Sequence, residues 1–337
     1  MKALVVGLGS MGKRRLRLLM QHFSDVVAIG VDENDDRCRA ASEEFGIETY
    51  SSVKSALEAS HSGVYDYAFI CTSPLSHADL IGICLSHGLH VFTELNLVSD
   101  GYSENMQLAS TLGKVLFLSS TFLYRNETRF LISRIRSAET MLNYTYHVGQ
   151  YLPDWHPWES YKDFFVADVR TNGCREIFAI ELPWLLQAFG KASDISVRNG
   201  TMSELSLPYP DNYLVTLEHE SGHRGQLMVD VVTRVPVRHF EVFGEHLQME
   251  WRGAPEKLWM ADESFSGMVQ VDLGSSVNRA AGYSEFITED AYLEEMKEFF
   301  AKCDGDKNAV YGFAEDLVTL ELIDRIEGIA GRTRNDR

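Results

Sequence analysis

The chain has 337 residues, and its 31 Lys+Arg against 49 Asp+Glu give a formal net charge of −18. That length suits about two domains, each able to bury its own core. Hydrophobic residues at 45% and charged residues at 24% exclude a disordered chain, the acidic surplus excludes a nucleic-acid binder and disfavours anionic membrane surfaces, and no apolar run approaches the ~18–20 residues of a membrane span.

The chain opens on a short apolar run that leads straight into glycines, too short for a signal peptide. Cys38, Cys71, Cys84, Cys174 and Cys303 form no Cys-x-x-Cys pair. Reduced thiols, a cytoplasmic location and no metal site are expected.

Up to about residue 120, short apolar runs alternate with longer amphipathic stretches. Residues 3–6, 26–31, 67–71, 90–93 and 115–118 suit strands buried on both faces. Residues 11–22, 35–45, 76–87 and 103–112 between them suit helices. This alternation predicts parallel βαβ units and a doubly wound sheet. Further on, residues 127–136 read as helical, a Trp/Pro-rich loop spans 149–169, and a second helix covers 174–189. Strand-like runs at 213–219, 225–233, 237–243, 247–251 and 268–273 are separated by turn residues, as in an antiparallel sheet. Two helices, 285–302 and 313–328, close the chain before a polar, frayed tail.

Gly7-Leu8-Gly9-Ser10-Met11-Gly12 follows a predicted strand and opens a predicted helix, the context that gives G-x-G-x-x-G its meaning. Gly7 permits the turn, Gly9 admits a pyrophosphate, and Gly12 lets helix and strand approach. The N–H groups of the helix start, from Ser10 and Met11 on, bind phosphate. Asp32 ends the second strand about twenty residues after Gly12, where an acid accepts the ribose hydroxyls of NAD and repels the 2′-phosphate of NADP. Lys13, Arg14, Arg15 and Arg17 follow; some add to the phosphate field, but most are expected on a solvated helix face.

Three further segments carry a family resemblance: Thr72-Ser73-Pro74-Leu75-Ser76-His77, Glu94-Leu95-Asn96 and Phe122-Leu123-Tyr124-Arg125. With the glycine loop, they make the chain resemble the Gfo/Idh/MocA family of NAD(P)-dependent oxidoreductases over nearly its whole length. The resemblance implies an N-terminal Rossmann fold (α/β) and a C-terminal α+β domain with an open, largely antiparallel sheet that often builds a dimer interface. It places Gly7, Gly9, Ser10, Met11, Gly12 and Asp32 in the dinucleotide site. Thr72, Ser73, Pro74, His77, Glu94 and Leu95 follow as further cofactor-lining positions. Two departures stand out. The family's proton-transfer lysine and following proline are Leu95 and Asn96 here, and its helical acid and histidine fall on Ile177 and Ile180.

The segment His147-Val148-Gly149-Gln150-Tyr151-Leu152-Pro153-Asp154-Trp155-His156-Pro157-Trp158-Glu159 resembles a branch of that family met with bacterial surface-sugar and nonulosonic-acid pathways. It combines flat aromatic faces with hydroxyl-reading polar groups, as sugar sites do. His156 and Glu176, then His147, are the candidates for the missing acid/base. Arg125, Gln150, Tyr151, Trp155 and Arg175 are candidates for substrate binding. Glu181 rides on an apolar helix face and needs a partner there. His219-Glu220-Ser221-Gly222-His223 matches a zinc-protease pattern, but its setting predicts a hairpin.

The expected organisation is a dinucleotide-binding domain over 1–121, a substrate and oligomerisation domain over 122–284, and C-terminal helices over 285–337 packing back on the first. The expected function is an NAD-dependent oxidoreductase of a sugar or sugar derivative, a homo-oligomer (dimer or tetramer) with no nucleic-acid or membrane partner. The alternative is a non-catalytic NAD-binding sensor or partner subunit.

Overall fold

The structure is a computed structural model that describes residues 1–59, 65–156, 159–274, 289–306 and 311–328. Pro157, Trp158, the start of the helix predicted at 285, and the tail after 328 lie outside the described residues. The chain divides into two compact units, Met1–Ser120 with Glu295–Glu315, and Thr121–Glu294 with Asp316–Arg337.

The first unit is built from β1 (Lys2–Val6), α1 (Ser10–His22), β2 (Val27–Val31), α2 (Asp35–Phe45), β3 (Thr49–Tyr50), α3 (Val53–Ala59), β4 (Tyr67–Ile70), α4 (His77–Ser86), β5 (His90–Thr93), α5 (Tyr102–Leu112) and β6 (Leu116–Leu118). Its six strands are all parallel, in the order β3-β2-β1-β4-β5-β6. This is the Rossmann order, whose switch point lies between β1 and β4. The alternation of elements predicts it because parallel neighbours need helical crossovers. The sheet's core is aromatic. Phe69, Phe92 and Phe117 stand in register on β4, β5 and β6, with ring centroids 5.2 and 5.1 Å apart. Phe299 meets all three edge-on, at 5.4, 5.6 and 5.8 Å. It lies on α8 (Glu289–Cys303), which is followed by α9 (Phe313–Ile326).

The second unit contains α6 (Asn126–Arg136), β7 (Asn143–Gly149), α7 (Gly173–Phe189), β8 (Ala192–Gly200), β9 (Asn212–His219), β10 (Arg224–Asp230), β11 (Val237–Gly244), β12 (Leu247–Trp251), β13 (Leu258–Ala261) and β14 (Met268–Gln270). They form one sheet in the order β14-β13-β12-β11-β7-β10-β9-β8. It is largely antiparallel, as the sequence predicts, with one exception: β7 and β10 run parallel. Tyr144, Tyr146 and Val148 alternate inward from β7, and the Tyr146 ring meets Trp184 of α7 at 5.5 Å. By strand alternation His147 points to the opposite face of the sheet.

Five elements escape the sequence reading, for physical reasons; one is β13, with 4 residues. β3 has 2 residues and α3 has 7, too few to show a period. β8 is a polar edge strand, and β7 lies where the sequence reads as the approach to a loop. Among the described residues no helix is long and apolar enough to cross a membrane.

Candidate cofactor and substrate sites

In the first unit the glycine loop is fixed from both sides. Gly7 has a φ of +91°, and its N–H donates to the Val31 carbonyl at 2.7 Å. A Cβ on Gly12 would lie 1.8 Å from the Gly7 carbonyl oxygen, so only glycine lets α1 come this close. A Cβ on Gly9 would meet nothing within 4 Å. Gly9 contributes no side-chain cap to α1, and no acid stands in the first turn. Open space before an acid-free helix start fits an anionic pyrophosphate.

Asp32 closes the other side. Its Oδ2 accepts from the Leu8 N–H at 2.7 Å and its Oδ1 from the Asn34 N–H at 2.9 Å. The guanidinium of Arg37 lies 3.9 Å from Oδ2 and is half-exposed. The acid therefore shapes the loop.

The second lining segment is tied together by His77. Its Nε2 donates to the Thr72 carbonyl at 2.9 Å, and Nδ1 lies 2.5 Å from the Asn96 side-chain amide. Burial lowers its pKa and keeps the ring neutral. Asn96, which stands at the family's proline position, thus anchors the turn after β5. Thr72 pairs with Ser76 at 2.7 Å, Pro74 is buried, Ser73 is exposed and Leu95 is half-buried.

Arg14 and Arg15 correct the sequence reading. They are 2% and 0% exposed, not on a solvated face. Arg15 Nε donates to Glu94 Oε1 at 2.6 Å, and Nη2 donates to Glu295 Oε2 at 2.8 Å. The guanidinium also lies 4.4 Å from the Phe92 ring centroid. Glu295 accepts from the Ser120 N–H at 2.6 Å. One cation serves two carboxylates. Burial, reinforced by the Glu94 charge, pushes Glu295 up to about 7 against the pull of Arg15. Glu94, placed by the resemblance along the cofactor, is buried in this cluster.

In the second unit the candidates cluster at the start of α7. Asn172 Oδ1 caps the helix by accepting from the Arg175 N–H at 2.8 Å, and Asn172 Nδ2 donates to Glu327 Oε1 at 2.7 Å. Arg175 donates to Asp324 at 2.7 Å and pairs with Glu327. This overturns its assignment to substrate, because two carboxylates hold its guanidinium. Arg125 is likewise taken: it is 3% exposed, pairs with Glu127, and donates to the Gly253 carbonyl at 2.8 Å.

Glu176 differs from both arginines. It is half-buried, its Oε2 has no hydrogen-bond partner, and desolvation pushes it up to about 7. Trp155 touches the same helical turn: a Cβ on Gly173 would be 3.6 Å from its ring. Its Nε1 is buried without a partner. Gln150 donates through its N–H to the Asp230 carbonyl at 3.2 Å. The Tyr151 ring lies 3.8 Å beneath the guanidinium of Arg234, a cation the sequence reading missed.

The two histidines are drawn elsewhere. His156 pairs with Glu159 at 2.6 Å and stacks on Phe164 at 4.3 Å. His147 Nε2 lies 2.8 Å from Asp230 Oδ2. Burial would raise Asp230, but hydrogen bonds from His147, Thr233 and the Val232 and Thr233 N–H groups hold it below the usual carboxylate range. Glu181, 0% exposed, finds its partners in Arg238 at 2.9 Å, Tyr146 at 2.6 Å and Trp184 at 2.9 Å. Ile177 is buried and Ile180 half-buried, and neither titrates. His219 and His223 flank the β9–β10 turn, and His219 bonds to Tyr144 at 3.0 Å and the Gly190 carbonyl at 2.8 Å. Among the described residues, no group of three or more His, Cys, Asp and Glu could hold a metal.

Residues 1–119 match the Gfo/Idh/MocA family model, described as an oxidoreductase family with an NAD-binding Rossmann fold. Solved structures match almost end to end. An oxidoreductase from Agrobacterium radiobacter, in complex with NAD+, L-tartaric acid and magnesium, is 14% identical with a TM-score of 0.78 over 99% of this chain and 97% of that one. The UDP-N-acetylglucosamine 3-dehydrogenase GnnA from Acidithiobacillus ferrooxidans is 15% identical with a TM-score of 0.74 over 98% and 97%. A levoglucosan dehydrogenase, in complex with NADH and levoglucosan, is 14% identical with a TM-score of 0.76 over 98% and 97%. No curated protein matches.

Proposed function

We propose, from the match of residues 1–119 to the model of an oxidoreductase family with an NAD-binding Rossmann fold, that the chain oxidises or reduces a CH–OH group of a sugar or sugar derivative with NAD. Its setting would be a pathway such as surface-polysaccharide or nonulosonic-acid assembly, in the cytoplasm, as a homo-oligomer. The glycine cradle, the acid-free start of α1 and Asp32 would hold NAD, with Thr72, Pro74, His77 and Leu95 lining its further part. When bound, the nicotinamide supplies or accepts the hydride.

The chain itself must handle the proton, because oxidising an alcohol releases one proton for each hydride. Glu176 carries this reading. A carboxyl that titrates at about 7 exchanges a proton near neutral pH. It would take the hydroxyl proton as carboxylate and return it as carboxylic acid in the reverse direction. His156 and His147 are the further candidates, each oriented by a carboxylate. Tyr151 and Trp155 would offer ring faces, and Gln150 would read a hydroxyl.

Leu95 and Ile180 at the positions of the family's usual lysine and histidine favour one other reading, a binder of NAD without turnover. Stopped-flow absorbance at the NADH band over a panel of amino-, deoxy- and neutral sugars separates the two. Substrate-dependent formation or loss of NADH supports the enzyme. Tight NAD binding with no absorbance change for any sugar supports the sensor.

A further inference from the structure

The loop between β10 and β11 carries an exposed cation, Arg234, whose guanidinium carbon lies 3.8 Å from the centroid of the Tyr151 ring. Among the described residues it pairs with no carboxylate. Its neighbours in the unit differ: Arg125 is held by Glu127, Arg175 by Asp324 and Glu327, and Arg238 by Glu181. Stacking uses the face of a guanidinium and leaves its N–H donors, which lie in the plane, for another partner.

Both halves of the stack are pinned. Asp230, at the end of β10, turns the loop: its Oδ1 accepts from the Val232 and Thr233 N–H groups at 3.0 and 2.8 Å, and its Oδ2 from the Thr233 hydroxyl at 3.0 Å. His147 lies 2.8 Å from the same Oδ2. A Cβ on Gly149 would fall 2.6 Å from Asp230 Oδ2 and 2.7 Å from Thr233 Oγ1, so glycine there lets the loop close down on β7. The Gln150 N–H donates to the Asp230 carbonyl at 3.2 Å and the Leu152 N–H to the Val231 carbonyl at 3.0 Å, which fixes Tyr151 between them. A cation ordered before its ligand arrives gives up less side-chain freedom on binding.

A planar donor fork matches the paired oxygens of a carboxylate or a phosphate. A chain with a net charge of −18 repels anions at long range, so admitting one takes a fixed local cation. Resting on the reading of Gln150 and Tyr151 as substrate-side residues, we propose that Arg234, stacked on Tyr151, is a specificity-determining cation that takes the oxyanion of an acidic sugar, a uronate carboxylate or a sugar phosphate.

Calorimetric titration with glucose, glucuronate and glucose 1-phosphate, at low ionic strength and with and without NAD, tests this. At least one of the two anions should bind about tenfold or more tightly than glucose, and which one does separates carboxylate from phosphate recognition. Arg234→Gln should abolish that preference with the thermal midpoint unchanged. Arg234→Lys should restore only part of it, because an ammonium keeps the charge and lacks the flat fork. Anions that bind no more tightly than glucose, a preference that survives Arg234→Gln, or no binding of any probe would overturn the proposal. NADH absorbance with the same sugars is scored separately. An Arg234-dependent preference without hydride transfer sinks the redox reading and leaves this one standing, and hydride transfer without the preference does the reverse.

Discussion

Arg15 and Glu94 form a buried ion pair, with Nε 2.6 Å from Oε1 and the arginine side chain 0% exposed. It joins the helix after the glycine loop to the end of β5, and Glu295 of α8 completes it. Breaking a buried pair from one side strands the other charge, at a cost of about 3–5 kcal/mol. Arg15→Met should therefore lower the urea unfolding free energy by about that amount. Glu295→Gln keeps the shape, can still accept hydrogen bonds and leaves Arg15 with one carboxylate, so it should cost far less. Equal losses in the two variants would mean that packing, not charge, holds the cluster.

Between pH 5 and pH 8 two raised carboxyls should draw stability down, against His77, His90, His219 and His223, which burial holds below the ordinary histidine pKa and which act in the opposite sense. Glu176 and Glu295 both titrate at about 7 in the fold against an ordinary 4.5, so the native state binds protons that the unfolded chain has released. Their contribution is complete below the unfolded pKa and is lost as pH rises through the folded one. Each is worth up to ~3 kcal/mol by linkage. Asp211 and Asp230, held low, act in the opposite sense but only in acid. Urea titrations of the native protein and of Glu176→Gln across this range isolate the carboxyl's share: the stability difference between the two should grow with pH, with the variant the more stable at pH 8.

Two glycines of one loop should behave oppositely. Gly12→Ala drives a methyl to 1.8 Å from a backbone oxygen, so the loop and α1 must shift and the thermal midpoint should drop. Gly9→Ala meets nothing within 4 Å, so the midpoint of the free protein should hold while NAD affinity falls. Thermal melts with and without NAD read both effects. A Gly9→Ala protein that binds NAD normally would place the pyrophosphate elsewhere.

Asp32→Ala removes the acceptor for the Leu8 N–H and, on the proposed NAD site, for the ribose hydroxyls as well. Hydrogen bonds to a charged group contribute about 1.5–3 kcal/mol, so NAD affinity should fall by about ten- to a hundredfold. Arg37, released from its partner 3.9 Å away, becomes available to a 2′-phosphate, and the preference for NAD over NADP should narrow. Fluorescence titration with both dinucleotides measures this.

The Rossmann half was readable because its signals are local: buried strands, intervening helices, and a glycine loop flanked by both. The buried clusters were not. Arg15 looks like one of four cations on a helix, and its partner Glu295 lies 280 residues away. Glu181 was recognisable as a carboxylate needing a partner, but Arg238 and Tyr146 come from two strands of the sheet rather than from its own helix. Arg175 read as a substrate cation for the same reason, since its carboxylates arrive from 149 and 152 residues further on. Glu176 was legible as a polar candidate near the aromatic loop, whereas its lack of any partner is a fact of packing. β7 went unread because its alternation is hidden beside the Trp/Pro-rich segment.

In the proposed reaction this chain moves a hydride between NAD and a sugar, with Glu176 handling the proton. Single-turnover NADH absorbance with a sugar substrate, followed from pH 5 to pH 9 for the native protein and Glu176→Gln, tests it most directly. The account predicts a burst whose rate titrates near pH 7 in the native protein and falls by about a hundredfold or more, with that titration lost, in the variant. A rate and pH profile that Glu176→Gln leaves unchanged would contradict it.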